Sequence, residues 1–252
     1  MGLPFGQARE EGNFPNLLDT LLGNAEIVHN LYQVGTLGAS AFVALDGQVT
    51  VIDSGPRWTH PRLTAFLDGV GRSPQEIAHI VATHYHPDHI GSMARLREAS
   101  SARVAVHEAE APFVEGVRQQ PNPFQHPLLA FLASPLVPLS CPPPVAVDIA
   151  LRDGDTLPVL GGLQVVHSPG HTPGSISLYF PAGGILIVGD ALECRGGRLG
   201  PPNPMFTVNM EQAKASIRRL AEPDIDILCF SHFPPIRRGA GRALREFAES
   251  LG

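Results

Sequence analysis

Cysteine is scarce in this 252-residue chain: Cys141, Cys194 and Cys229 are scattered, odd in number, and form no CxxC pair. That excludes a disulfide framework and a zinc knuckle built on cysteine. Long apolar runs are also missing, and no window approaches the roughly 20 apolar residues that span a bilayer. Met1 to Asn13 does not read as a secretory leader, because Arg9, Glu10 and Glu11 sit where an apolar run belongs. Gly2 follows Met1, but position six is Gly6 and not Ser or Thr, so a myristoylation signal is not expected. A cytoplasmic location without a membrane partner is therefore expected. Lysine occurs once, at Lys214, a compositional bias to which no function attaches. The formal net charge is −6, and the only dense basic stretch is Arg237, Arg238, Arg242 and Arg245. A nucleic-acid partner is not expected without a basic face, and those arginines read as a solvated surface.

What is present fits one α/β domain over residues 1–252, with 43% hydrophobic residues and no internal repeat or low-complexity linker. Short apolar runs bounded by Gly, Pro, Asp or Asn read as buried strands: 41–45, 49–52, 80–82, 104–106, 163–166, 176–180, 185–188 and 227–230. Asp46-Gly47 between the first two predicts a type I′ hairpin. Ser73-Pro74-Gln75-Glu76 has the pattern of a capping box with Pro at the first helical position. Asn209 is placed to cap a helix over 210–220, and a last helix is expected from about 242 to 251. Strands alternating with helices predict sheets covered by helices. Residues 1–27 are expected to be a lead-in or an arm that packs on a neighbour. Residues 112–144 carry nine prolines and read as an irregular covering segment, its apolar residues serving equally well as lid or core.

The chemistry concentrates in Thr83-His84-Tyr85-His86-Pro87-Asp88-His89-Ile90-Gly91. Three imidazoles and a carboxylate follow the apolar run Ile80-Val81-Ala82 directly, so a strand ending at Thr83 delivers them to a loop at a sheet edge. A polar loop of ordinary histidines is the bland alternative; it suits one lone histidine and not this density. Mixed imidazole and carboxylate donors suit Zn, Fe, Mn or Ni better than Ca or Mg. Further donors close later apolar runs: His171 in Ser168-Pro169-Gly170-His171-Thr172-Pro173-Gly174, Asp190 after Gly189, and His232 in Ser231-His232-Phe233-Pro234. Gly170, Gly174 and Gly189 allow the backbone to turn tightly there. His60, His79, His107, His126 and His167 lack such company and are read as ordinary residues, Cys194 as a small buried hydrophobe, and Tyr179 as core.

In combination, the HxHxDH, PGHTPG, strand-GD and late-His segments resemble the metallo-β-lactamase superfamily over roughly residues 35–235, and Val51-Ile52-Asp53-Ser54-Gly55 resembles its early Asp-containing turn. The resemblance implies an α/β (α+β) fold, a four-layer αββα sandwich with the metal site at one edge of two sheets. It implies that His84, His86 and His171 hold a first ion, that Asp88, His89 and His232 hold a second, and that Asp190 bridges them. Asp53 would support the ligands from behind. The implied cofactors are two divalent ions, zinc foremost, with iron or manganese as alternatives. Two ions roughly 3.5–4 Å apart share a water and bring its pKa toward about 7. The expected reaction is hydrolysis by a metal-bound hydroxide without a covalent enzyme intermediate, Asp88 both ligating and orienting the nucleophile.

Two departures stand out. Ser231-His232-Phe233-Pro234 replaces the Gly-His-Gly common among relatives, adding bulk beside His232. Asp190, not Cys, occupies the GD position, which matches lactonase-, thioesterase- and nuclease-like branches and argues against β-lactamase activity. The expected substrate is a small molecule with a carboxylic ester, lactone or thioester bond. Net charge disfavours the phosphodiesterase or nuclease branch, and only about twenty residues follow His232, which weakens a glutathione-thioester reading. A mononuclear iron dioxygenase acting on persulfides is the alternative from another reaction class. Nothing in the sequence sets the oligomeric state; a homodimer is one option.

Overall fold

The structure is a computed structural model, and it describes residues 23–122, 124–134 and 141–251. One sheet holds seven strands in chain order: β1 (Asn24–Val28), β2 (Leu31–Val34), β3 (Ala41–Asp46), β4 (Gln48–Ile52), β5 (Ile77–Val81), β6 (Arg103–His107) and β7 (Ile149–Leu151). It is antiparallel from β1 to β4, which short connections of one to six residues join, and parallel from β4 to β7, which longer crossovers connect. The second sheet comprises β8 (Thr156–Leu157), β9 (Leu163–His167), β10 (Ile176–Phe180), β11 (Ile185–Ile187) and β14 (Ile227–Cys229), in the order β14-β11-β10-β9-β8. Only its β11–β14 pair is parallel. β12 (Glu193–Arg195) and β13 (Arg198–Gly200) form a separate hairpin. The described helices are α1 (His60–Gly69), α2 (Pro87–Ile90), α3 (Met93–Ala99), α4 (Ala111–Val114), α5 (Pro127–Ala133), α6 (Met210–Leu220) and α7 (Ala240–Ser250).

Alternation along the strands sorts side chains onto two faces and so stacks the layers. In β3, Ala41, Val43 and Leu45 join a core with Leu63 and Leu67 of α1 and Met93 and Leu96 of α3. Phe42 and Ala44, between them in sequence, point the other way and meet Leu163, Val165, Leu178 and Ile187 of the second sheet. Leu186 and Leu228 occupy the far face of that sheet, under Ile217 and Leu220 of α6 and Leu244 of α7. The result is an αββα sandwich. Each fully buried Leu or Ile contributes roughly 1.5–3 kcal/mol, so burial between layers outweighs intrinsic helix propensity in fixing the outer helices. Asn209 starts α6 as expected: its Oδ1 accepts the Gln212 N–H at 3.0 Å, satisfying an otherwise orphaned donor.

Several details depart from the sequence reading. Ser73 does close its capping-box bond, N–H to Glu76 Oε1 at 2.8 Å, but only a 3-10 turn over Pro74–Glu76 follows. Ile77 turns extended and buries its side chain at the start of β5, which stops the helix. The Asp46-Gly47 hairpin forms in a tighter version than type I′: Asp46 pairs with Gln48, and Gly47 at the tip takes φ +64°. Arg237 is not a merely solvated residue, because its guanidinium donates to the carbonyls of Glu26 and Ile27, both at 2.6 Å, fastening β1. Residues 1–22 of the lead-in lie outside the described residues, as do 123 and 135–140 of the covering segment, but residues 24–27 are not lead-in: they form most of β1 and pair with β2 in the main sheet. Within the covering segment Val114 is buried and the Phe113 ring packs at a tilt against Tyr85, centroids 4.7 Å apart, whereas Leu128, Phe131 and Leu132 are exposed.

Candidate metal centre

Strand direction decides where the polar residues meet. β4, β5 and β6 run parallel in one sheet, as do β11 and β14 in the other, with β9 antiparallel to β10 and so aligned with β11. Their C-terminal ends therefore open on one edge of the sandwich. Asp53 follows β4, His84 and His86 follow β5, His171 follows β9, Asp190 follows β11 and His232 follows β14. Asp88 and His89 ride on the short helix α2, which starts at Pro87 with His86 as its N-cap. The Ile176 N–H donates to the Thr83 carbonyl at 2.9 Å, tying the two sheets at this edge. Gly189, at φ +54°, turns the chain into Asp190; a Cβ there would press on Thr83 at 3.0 Å.

All seven expected donors come together. His84, His86 and His171 form one group, His84, His89 and Asp190 a second, and Asp88, His89 and His232 a third, each with its donor atoms within 4.8 Å of one another. Asp190 sits in the middle: Oδ1 is 3.4 Å from His89 Nε2, and Oδ2 is 3.5 Å from His171 Nε2 and 3.4 Å from His232 Nε2. Asp88 Oδ2 lies 3.4 Å from His232 Nε2. His86 Nδ1 and His171 Nε2 are 3.0 Å apart. His84 Nε2, His89 Nε2 and Asp190 Oδ1 are buried without hydrogen-bond partners. Orphaned buried polar atoms are costly, and lone pairs aimed at a common centre are what a bound cation would satisfy. The residues present fit a divalent metal.

The supporting contacts fix which nitrogen is left for that role. Asp53, fully buried at φ +57°, accepts the Thr83 N–H at 2.8 Å and the Thr83 hydroxyl at 2.8 Å, and its Oδ2 lies 2.8 Å from His89 Nδ1. With the Thr83 hydroxyl committed to Asp53, its oxygen is free to accept from His84 Nδ1 at 3.1 Å. His171 Nδ1 faces the Thr207 hydroxyl at 3.4 Å, and that hydroxyl donates to the Asn203 carbonyl at 2.7 Å. In each case these partners suit a proton on Nδ1, which would leave Nε2 facing the centre, the arrangement that orients ligating imidazoles.

The electrostatics divide the cluster. Burial first, then the adjacent imidazoles, hold His84 and His86 well below the usual imidazole range. Burial also lowers His171. Burial acts the same way on His89 and His232, but it is outweighed, at His89 by Asp190, Asp53 and Asp88 and at His232 chiefly by Asp190; both are raised. For Asp190, burial pushes upward and the neighbouring His232 and His89 overcome it, holding the carboxyl well below its normal range. Three neutral imidazoles thus face a carboxylate-rich half whose negative charge calls for protons or a cation.

A cavity of about 450 Å³ opens onto the centre, walled on its apolar side by Pro87, Leu192, Phe206 and Phe233 and on its polar side by Glu193, Arg195 and Asn203. Phe124 of the covering segment packs on Phe206 at 5.4 Å, so part of that segment does reach the cavity wall. Phe233, whose bulk the sequence reading flagged, lies on the wall with the Arg195 guanidinium 5.9 Å from its ring. Cys194 is buried in the core under α6 and α7, and Tyr179 packs at the margin of that core with its hydroxyl on the Asp224 carbonyl at 2.9 Å. His107 ends β6 and stacks on His167 at 4.1 Å, apart from the cluster. Sequence reasoning missed Thr83 as a hub, Thr207 behind His171, and Glu110, which is described below.

Comparison with known proteins agrees with the fold. The family model of the metallo-beta-lactamase superfamily matches residues 34–232, and the chain belongs to that superfamily. It is 31% identical over 175 residues to the probable metallo-hydrolase YflN of Bacillus subtilis (strain 168), covering 62% of this chain and 64% of that one. It is 30% identical over 196 residues to a hydroxyacylglutathione hydrolase of Cereibacter sphaeroides (strain ATCC 17025 / ATH 2.4.3), covering 75% of this chain but 59% of that protein. The match thus spans less than two thirds of either relative's length. Among solved structures, the Rm3 metallo-beta-lactamase superposes with a TM-score of 0.68 at 20% identity, over 94% of this chain and 96% of that one; at that identity the likeness concerns the fold.

Proposed function

We propose that this protein is a metal-dependent hydrolase that holds two divalent ions, zinc foremost, and cleaves an ester, lactone or thioester bond in a small molecule. The observation that carries this is the sharing of His84 and His89 among three donor groups, each within 4.8 Å, around partnerless buried nitrogens. One centre cannot use all seven donors; two adjacent centres can. His84, His86 and His171 hold the first ion, Asp88, His89 and His232 the second, and Asp190 faces both. When bound, the two ions supply Lewis acidity and a water of lowered pKa.

The chain's own residues do the rest. Asp88, partly exposed to the cavity, is placed to orient the attacking water and to accept its proton. Asp53 and Thr83 hold His89 and His84 in the ligating tautomer. Among the described residues lining the cavity there is no Ser, Thr, Cys or Lys, and its histidines and Asp88 and Asp190 are engaged as metal donors in this reading, which favours direct attack of water without an acyl-enzyme. The apolar wall of Leu192, Phe206 and Phe233 suits the hydrocarbon part of an acyl compound and excludes bulk water from it. The names of the two relatives, a probable metallo-hydrolase and a hydroxyacylglutathione hydrolase, support the hydrolase class. Neither a nucleic acid nor a membrane is part of this reading; no described helix is long and apolar enough to cross a bilayer. The test is His84→Ala and Asp190→Ala, with metal content and turnover on an ester, lactone and thioester panel measured together. Both variants should lose metal and turnover in parallel, and full turnover in either would overturn the assignment.

A further inference from the structure

Glu110 is an acidic residue with no exposure to solvent, and burial pushes its carboxyl up to about 7; it does not line the cavity. It follows β6 as the N-cap of α4. A buried carboxylate needs a cation or several donors to be tolerated, and among the described residues no ion pair reaches this one. Its three donors all come from the two loops that carry the first-ion histidines. Oε2 accepts the N–H of Tyr85, the residue between His84 and His86, at 2.8 Å. Oε1 accepts the hydroxyl of Thr172, next to His171, at 3.0 Å and the N–H of Gly174 at 2.6 Å. The approach is so close that a Cβ at Gly174 would stand 2.6 Å from Oε1. The first loop belongs to the seven-stranded sheet and the second to the five-stranded sheet.

We infer that Glu110 is a positioning residue that clamps these two loops together and so sets the spacing of His84 and His86 against His171, and with it the affinity of the three-histidine site. The inference rests on the two-ion reading above. Glu110→Gln keeps size and one acceptor but turns an NH2 toward either the Tyr85 amide or the Thr172 and Gly174 donors, so one loop is released whichever way the amide lies. Outer partners of metal ligands typically change affinity by 10–100-fold. Zinc affinity, measured by competition with a chromophoric chelator, is best compared in the His232→Ala background, where only the three-histidine site should remain. Glu110→Gln should weaken zinc there at least about tenfold, with the far-UV circular dichroism of the apo protein unchanged. Thr172→Val removes one donor without touching Glu110; it should weaken the same site less, and the double variant should fall short of the product of the two effects. Cobalt substituted at this site should show an altered d–d band in Glu110→Gln. Unchanged affinity and an unchanged band, or effects of the two substitutions that simply multiply, would overturn the clamp. Failure of the His232→Ala chain to take up zinc at all would bring down the two-ion reading and this inference with it.

Discussion

Replacing Asp53 by Asn isolates the contribution of a residue that touches no substrate. The backbone there has φ +57°, a region that Asn and Asp both tolerate, so the substitution changes chemistry and not conformation. Asp53 Oδ1 accepts the Thr83 N–H and Oδ2 lies 2.8 Å from His89 Nδ1. An Asn that keeps its oxygen on Thr83 presents an NH2 to His89. Two donors cannot face each other at that distance, so the imidazole moves its proton to Nε2, the buried atom that otherwise has no partner. A protonated Nε2 cannot ligate. Returning it to the ligating tautomer leaves an unmatched donor pair, and the expected loss is 10–100-fold in affinity, or about 1.4–2.7 kcal/mol at 1.36 kcal/mol per tenfold. The loss should fall on the ion held by Asp88, His89 and His232, with the three-histidine site weakened less through Thr83. Chelator competition resolves the two equivalents, and elemental analysis after gel filtration gives the stoichiometry. Two equivalents held with wild-type affinity in Asp53→Asn would refute the tautomer argument.

Other expectations concern stability as well as the site. Asn209→Ala removes the acceptor for the Gln212 N–H and should cost about 1 kcal/mol in urea unfolding, leaving zinc content unchanged. Ile217→Ala deletes a side chain with no solvent exposure in the core beneath α6 and should cost about 2–5 kcal/mol without altering metal stoichiometry; a cost below 1 kcal/mol would contradict that packing. Gly170 holds φ +133°, and a Cβ there would lie 2.3 Å from the Ala213 nitrogen. Gly170→Ala should therefore lose about 1–3 kcal/mol and weaken zinc at His171, both read from thermal melts with and without metal. Chelation of the wild-type protein should lower its melting temperature, because a ligand present at 100 times its dissociation constant stabilises by about 2.7 kcal/mol; superimposable melts would mean that no metal is bound to the native state.

The sandwich and the ligand set were legible for the same reason. His84, His86, His171, Asp190 and His232 lie in loops that follow buried apolar strands, Asp88 and His89 sit on the short helix just beyond, and residue type alone marks all seven out from their surroundings. Strands β3 to β6, β9 to β11 and β14 coincide with apolar runs. β7, β8, β12 and β13 are two or three residues long, too short for alternation to register; β11 and β14 are no longer than these, but each lies within an apolar run, 185–188 and 227–230. β1 and β2 meet at Asn30, whose φ of +68° makes the turn; an Asn between two partly polar strands is a weak signal when one face stays open to water. The supporting residues were illegible on other grounds. Nothing in His107-Glu108-Ala109-Glu110 says which glutamate turns inward, because Glu110 is stabilised by donors 25, 62 and 64 residues away. Thr207 sits in a loop whose only tie to His171 is tertiary. Local patterning marks groups that chemistry makes unusual, and it is blind to ordinary residues that long-range contacts recruit.

The most direct measurement is metal content per chain, on protein purified without added metal, for the wild type and for His232→Ala. His232 contributes to the group with Asp88 and His89 and not to the three-histidine group. A two-ion centre predicts about two divalent ions per chain, falling toward one in the variant. A single iron, unchanged by the substitution, would contradict the two-ion hydrolase and favour one-metal oxygen chemistry on the same fold.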